Sequence, residues 1–202
     1  QDKNAFGTCT LEKKGKGHIL LWGDSHAAHL SSGLHAVNQY QTLTQFTASG
    51  CPPIVDVDFN KALPKRPYCR NINTYIMEKI KKNPPDKVIL AAQWGMRGDY
   101  WLQLQSTISQ LQQLGIQDII IVGPAPVWDD TLPHIMARFN APFSELPKRL
   151  KSHLLEETYL LDEKIKNFAQ QWKVNYLSLL SILCNHDGCL TKLGETPDQL
   201  MN

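Results

Sequence analysis

The sequence has 202 residues, of which 42% are hydrophobic and 20% charged, and this is the composition of an ordinary globular protein with a sizeable core. The formal charge of +2 and the short basic runs predict no nucleic-acid groove, and no apolar stretch approaches the length of a membrane span. The chain begins at Gln1, with no Met and no secretory apolar region, which favours a piece of a longer protein.

Strand and helix patterns alternate after residues 1–17, a polar stretch that we expect to form an N-terminal arm. Continuous apolar runs predict buried strands, and apolar side chains at helical spacing predict amphipathic helices. The predicted strands are 18–22, 43–47, 86–92, 118–122 and 174–177. The predicted helices are 25–40, 71–82, 100–114 and 148–172. A repeated strand–helix order implies a parallel sheet with helices on both faces.

The first predicted strand runs into its helix through Gly23, Asp24 and Ser25. This turn places the Ser25 hydroxyl at the carboxyl end of a strand and at the amino end of a helix, where open α/β sheets hold their ligands. Backbone N–H groups and the helix dipole at that point favour a developing negative charge. Asp or Ser in such a turn can also be a simple helix N-cap, so the tripeptide alone leaves catalysis and capping open.

Four of the five cysteines fall into two candidate pairs, and no Cys-x-x-Cys motif indicates a zinc ribbon or a thioredoxin site. Cys184 and Cys189 enclose a short turn, and Cys51 and Cys69 flank a proline-rich loop. As disulfides these pairs would contribute about 2 and about 3 kcal/mol respectively, and they favour an oxidising compartment. The alternative is a set of reduced, mostly buried thiols. Cys9 has no predicted partner within the sequence.

A family resemblance rests mainly on residues 21–30, which read Leu-Trp-Gly-Asp-Ser-His-Ala-Ala-His-Leu. This stretch resembles the first block of SGNH (GDSL-type) hydrolases, in the form carried by extracytoplasmic SGNH domains fused to bacterial membrane O-acyltransferases. Residues 49–53, 88–94 and 184–189 fit the same subgroup, so the resemblance spans nearly the whole chain. It implies an α/β fold, a flavodoxin-like three-layer α/β/α sandwich with a five-stranded parallel sheet, over residues 18–202.

The resemblance also implies acyl-ester chemistry, with Ser25 as the nucleophile and the backbone N–H groups of Ser25 and Gly50 as oxyanion-hole donors. The family's third donor is an Asn in a Gly-x-Asn-Asp block after the central strand, and this chain has Gln93 in that region instead. The Gln93 amide is a candidate substitute, although a polar loop residue without that role is the more common case. The chemistry requires neither a metal nor another cofactor.

Other residues expected to line the site are Asp24, His26, His29, Trp94 and Trp128. We expect Asp24 to stabilise the turn, and the two histidines to pack or cap rather than act as bases. The tryptophans are equally consistent with a sugar-stacking wall and with an aromatic core. The family completes its site with Asp-x-x-His, which does not occur after Cys189. Since a serine without a base is a weak nucleophile, we expect the sequence to stop short of its catalytic histidine.

Three functions fit these features. The leading hypothesis is O-acyl transfer, specifically O-acetyl transfer, to a bacterial envelope glycan, or hydrolysis from it, through an acyl-serine. Its expected partners are an envelope polysaccharide or O-antigen acceptor, an acyl donor, and a membrane acyltransferase domain in the same parent chain, which would tether a periplasmic domain to the inner membrane. The absent Asn and Asp-x-x-His favour the alternative, a non-catalytic glycan-binding or partner-docking module. A secreted stand-alone esterase is a third hypothesis.

Overall fold

The computed structural model describes residues 10–11, 17–38, 42–59, 66–95 and 99–201. The chain divides into two compact units. The first unit takes in residues 1–123 and 166–177, and the second takes in residues 124–165 and 178–202. Cys9, for which no partner was predicted, lies outside the described residues.

The strands and helices follow one another much as the sequence predicts. The strands are β1 Thr10–Leu11, β2 His18–Gly23, β3 Thr42–Thr47, β4 Lys87–Ala91, β5 Asp118–Val122, β6 Arg149–Leu150, β7 Asn175–Leu177, β8 Cys184–Asn185 and β9 Gly188–Leu190. The helices are α1 Ser25–Val37, α2 Cys69–Lys82, α3 Leu104–Gln113, α4 Leu132–Ala137, α5 Glu156–Gln171 and α6 Leu179–Leu183. Single 3₁₀ turns occupy Tyr100–Gln103, Phe143–Glu145 and Pro197–Gln199.

The first unit is built on one sheet, which within the described residues has six strands in the order β1-β3-β2-β4-β5-β7. Five of these strands are parallel, which confirms the predicted α/β fold with its five-stranded parallel sheet. The sixth, β1, pairs antiparallel with β3 and comes from the stretch that was expected to form an arm. Leu20, Leu21 and Trp22 are consecutive and at most 2% exposed, so β2 is covered on both faces.

The second unit contains a small antiparallel sheet, ordered β6-β9-β8 in the part of the chain that the structure describes. The prediction of a helix from residue 148 is wrong at its start, because Arg149–Leu150 pairs with β9 and α5 begins at Glu156. His153 between them has a φ of +67°, a left-handed conformation that a helix cannot continue through. Pairing with a distant strand therefore overrides the local helical pattern.

Both predicted cysteine pairs are bonded in the structure. Cys51–Cys69 joins the loop after β3 to the start of α2, and Cys184–Cys189 joins β8 to β9. Among the described residues, no helix is long and apolar enough to cross a membrane.

Candidate active site

The candidate site begins with the register of the three central strands. Gly23, the last residue of β2, pairs with Thr47 at the end of β3 and with Ala91 at the end of β4. The loops after these parallel strands therefore leave the sheet at the same level and on the same edge. Ser25 follows the end of the first of these strands, Gly50 follows the second and Gln93 follows the third, as predicted.

The turn that presents Ser25 depends on a close approach of two strands. A Cβ added at Gly23 would overlap the carbonyl oxygen of Ala91, so only glycine lets β2 end against β4 in this way. Ser25 then begins α1 with an exposed side chain, whereas the preceding Asp24 is completely buried. The serine hydroxyl consequently faces outward at a helix N-terminus, where the dipole favours negative charge.

Asp24 joins the Ser25 turn to the loop after β4. Its Oδ1 accepts a hydrogen bond from the His26 backbone N–H at 2.8 Å, and its Oδ2 accepts one from the Gln93 backbone N–H at 3.0 Å. Burial acts to raise the pKa of Asp24, but the interactions with His26 and with the Gln93 N–H outweigh burial and hold the pKa below its ordinary value. Asp24 is therefore an ionised N-cap that also fixes the neighbouring loop.

The backbone of Gln93 is held from both sides. Its N–H is bonded to Asp24, and its carbonyl accepts a hydrogen bond from the Tyr100 hydroxyl. Burial, aided by the charge of Asp24, raises the pKa of Tyr100, so the phenol remains a protonated donor. Because the Gln93 backbone N–H is already engaged, only its exposed side-chain amide could serve as the third oxyanion donor.

Gly50 occupies a tight turn after β3. The turn is closed by a hydrogen bond from the Cys51 N–H to the Ala48 carbonyl at 2.9 Å, and Gly50 has a φ of +61° that favours glycine. Among the described residues, no acceptor is bonded to the backbone N–H of Gly50 or of Ser25. Within this part of the chain neither N–H therefore has a competing acceptor, and this is a condition of the oxyanion-hole prediction.

In the part of the chain that the structure describes, neither histidine near Ser25 forms a hydrogen bond with its hydroxyl. His26 is partly exposed, and its Nδ1 lies 3.6 Å from Asp24 Oδ1. The exposed His29 lies on the same helix, with its ring centroid 6.2 Å from that of His26. In the described ranges no histidine hydrogen-bonds to Ser25, and no group of three or more His, Cys, Asp or Glu side chains is placed to hold a metal ion.

The tryptophans expected to line the site occupy apolar environments. Trp94 is 0% exposed, and its Nε1 donates to the Val122 carbonyl at 2.7 Å. It therefore anchors the loop after β4 in the core and has no face left for a sugar, so of the two alternatives left open for Trp94 the structure favours the aromatic core. Trp128 belongs to the second unit, where it pairs with Leu154 and packs, half-buried, against an apolar cluster that includes Leu132.

A parallel sheet with a serine at the first strand–helix turn and a glycine N–H on the next loop defines the SGNH hydrolase-like class of α/β proteins. Residues 1–197 match the family described as "SGNH domain (fused to AT3 domains)", and the chain belongs to this family. No curated protein matches the sequence.

A solved structure supports the same assignment. The chain is similar to the periplasmic domain of a lipopolysaccharide acetyltransferase from Salmonella ser. Paratyphi A, with a TM-score of 0.76 and 28% sequence identity. The match covers 93% of this chain and 76% of that one. Family and neighbour together support acyl transfer as the general class of chemistry.

Proposed function

We propose that this chain carries O-acyl groups, specifically O-acetyl groups, on a covalent Ser25 intermediate during modification of a bacterial envelope glycan. The observation that carries the proposal is the position of Ser25. Ser25 is the first residue of α1, its side chain is exposed, and it lies at the edge of the sheet where the loop that contains Gly50 also leaves. The backbone N–H groups of Ser25 and Gly50 have no acceptor among the described residues.

In the proposed reaction the Ser25 oxygen attacks the acyl carbonyl, and a general base takes the hydroxyl proton. The N–H groups of Ser25 and Gly50 hold the negative oxygen of the tetrahedral intermediate. The bond to the donor's oxygen then breaks, and the departing oxygen takes up the proton. A glycan hydroxyl attacking the acyl-serine completes a transfer, and water completes a hydrolysis.

The base in this scheme is the histidine of an Asp-x-x-His segment that we propose follows residue 202 in the parent protein. The histidines adjacent to Ser25 are poor substitutes, because His26 directs its Nδ1 towards Asp24 and His29 is exposed on α1. The absence of any described histidine bonded to Ser25 equally favours the second candidate, a non-catalytic glycan-binding or partner-docking module.

We further propose that the domain works in the periplasm and is tethered to the inner membrane by an AT3-type acyltransferase domain of the same parent chain. The two disulfides fit an oxidising compartment, and the description of the matching family names its fusion to AT3 domains. The acceptor would be an envelope polysaccharide such as O-antigen, by analogy with the lipopolysaccharide acetyltransferase neighbour.

The test replaces Ser25 in the full-length protein. Ser25→Ala should reduce acetyl release from p-nitrophenyl acetate by about a thousandfold or more, because the nucleophile is lost. It should also abolish labelling by a fluorophosphonate, with the label mapped to Ser25 by mass spectrometry of the unsubstituted protein. The matched control is Ser32→Ala, an exposed serine on the same helix.

In cells, envelope polysaccharide from the Ser25→Ala strain should lack the O-acetyl signals that NMR detects in the Ser32→Ala strain. Ester turnover that survives Ser25→Ala unchanged would reject the nucleophile assignment. Lost labelling and turnover with no change in the polysaccharide would reject the glycan as acceptor, and no activity in either protein would favour the docking module.

A further inference from the structure

The turn that carries Gly50 is held by Arg66, which lies outside the stretches that carry the family resemblance. Arg66 Nη1 donates to the carbonyl oxygen of Ser49 at 2.7 Å. Its guanidinium lies directly against Gly50, since a Cβ added there would overlap it. The Cys51–Cys69 disulfide and a hydrogen bond from the Cys69 N–H to the Arg66 carbonyl at 3.1 Å keep the arginine beside the turn.

This contact acts on the same peptide unit that supplies the oxyanion donor. The Ser49 carbonyl and the Gly50 N–H belong to one planar peptide, in which the two groups point in opposite directions. Fixing the carbonyl with Arg66 therefore fixes the direction of the N–H. A hydrogen bond from a cation is also stronger than a neutral one, and it polarises the peptide so that the opposite N–H becomes a better donor.

We propose that Arg66 is a positioning residue of the oxyanion hole, which orients and polarises the Ser49–Gly50 peptide towards the reacting acyl oxygen. This inference rests on the proposed acyl-transfer function. Arg66 touches the far side of the peptide, so it acts through Gly50 and has no contact with the substrate. Its half-buried position suits this role, because the cation keeps its hydration while one nitrogen engages the turn.

The kinetic test compares Arg66→Met, Arg66→Lys and the control Arg70→Ala in the full-length protein. Arg70 lies four residues further along the same segment, and its contact with Asp58 is an exposed ion pair at 3.5 Å. Arg66→Met should lower kcat for p-nitrophenyl acetate about tenfold, less than the loss of a whole donor, with KM within about twofold. Arg66→Lys should recover most of kcat, since an ammonium can still bond the carbonyl, and Arg70→Ala should match the parent.

A second test measures the environment of the Gly50 backbone N–H directly. The amide signal of Gly50 in a ¹⁵N–¹H NMR spectrum of the substrate-free protein should move in Arg66→Met and stay in place in Arg70→Ala. An unmoved signal would overturn the proposal whatever the kinetics show. A rise in KM at constant kcat would also overturn it, because Arg66 would then bind substrate, and so would lost stability at constant kcat.

The outcome for Arg66 is separable from the outcome for Ser25. If Ser25→Ala hydrolyses the ester as fast as the parent, the acyl-serine function fails. The Gly50 signal still decides whether Arg66 orients the peptide, because that measurement needs no substrate and no turnover.

Discussion

The two turns of the candidate site are each held by a charged side chain, and the two charges are opposite in sign and lie in different environments. On one side Asp24 is 0% exposed, and each of its carboxylate oxygens accepts a backbone N–H. On the other side Arg66 is half-buried and bonds one carbonyl of the turn that contains Gly50. The anion is part of the core, whereas the cation reaches the site from near the surface.

This difference in burial predicts different consequences when each side chain is removed. Removing the buried Asp24 carboxylate leaves two partly buried N–H donors without their acceptors, so the free energy of unfolding should fall. Removing a half-exposed cation leaves groups that water can solvate, so its loss should alter the rate more than the stability. A change at Asp24 should therefore affect both the site and the stability of the fold, whereas a change at Arg66 should affect the site with little effect on stability.

The largest expected effect comes from the buried side. Asp24→Ala removes both acceptors, so the His26 N–H loses the N-cap bond of α1 and the Gln93 N–H loses its partner. We expect the free energy of unfolding to fall by about 4 kcal/mol, measured by urea denaturation. Asp58→Ala, at an exposed aspartate in the same unit, should change it by no more than about 0.5 kcal/mol.

Acid should remove the same support. The pKa of Asp24 lies below its ordinary value in the folded state, so its contribution is present at neutral pH and is lost as the pH falls through the folded-state pKa. The difference in the free energy of unfolding between the parent and Asp24→Asn should therefore become smaller as the pH is lowered from 7 to about 3. Two results would contradict this prediction: a difference in the free energy of unfolding that stays constant with pH, or an Asp24→Ala variant as stable as Asp58→Ala. Either would show that the Asp24 carboxylate does not stabilise the fold.

The next effect concerns the disulfide that keeps Arg66 beside the turn. Cys51→Ala with Cys69→Ala opens a link across 18 residues and should cost about 3 kcal/mol, and it should also lower Ser25-dependent turnover. Cys184→Ala with Cys189→Ala opens a link across 5 residues and should cost about 2 kcal/mol. Unfolding curves and ester assays on both variants check this ranking. Equal turnover losses in the two would indicate general destabilisation rather than a loosened turn.

Much of this arrangement is predictable from the sequence because it follows from local patterns. The apolar runs around Leu20 and Leu90 predict strands that are buried on both faces, and strand ends fix where Ser25 and Gly50 emerge. Asp24 was expected to stabilise its turn, and it does so as the N-cap. Its second bond, to Gln93, spans 69 positions in sequence and depends on the β2–β4 register, which no local pattern encodes.

Features that depend on long-range contact were left open or missed. For Trp94 the sequence allowed both a sugar-stacking wall and an aromatic core, and the buried hydrogen bond of its indole N–H to the Val122 carbonyl favours the core. Arg66 stands in a proline-containing stretch without periodicity, so nothing in its neighbours singles it out. The predicted Cys51–Cys69 pair was the available signal, because that bond brings the segment before Cys69 next to the turn.

The smallest expected effect concerns Gln93, whose side-chain amide is a candidate third donor of the oxyanion hole. Gln93 has its backbone fixed by Asp24 and Tyr100, which leaves its exposed amide on a rigid base at the same edge as Ser25. If that amide helps to hold the oxyanion, Gln93→Ala should lower kcat about tenfold, or about 1.4 kcal/mol in activation free energy, with little change in stability.

Gln93→Glu distinguishes a donor from a plain loop residue, and p-nitrophenyl acetate kinetics on the full-length protein measure the difference. A carboxylate next to a developing oxyanion repels it, so the glutamate variant should be slower than the alanine variant, whereas a residue that is merely polar would tolerate the change. Gln105→Glu adds the same charge at an exposed position of α3 and should leave kcat unchanged. If Gln93→Glu is as fast as Gln105→Glu, the Gln93 amide is not a donor. The oxyanion donors would then be the backbone N–H groups of Ser25 and Gly50 alone.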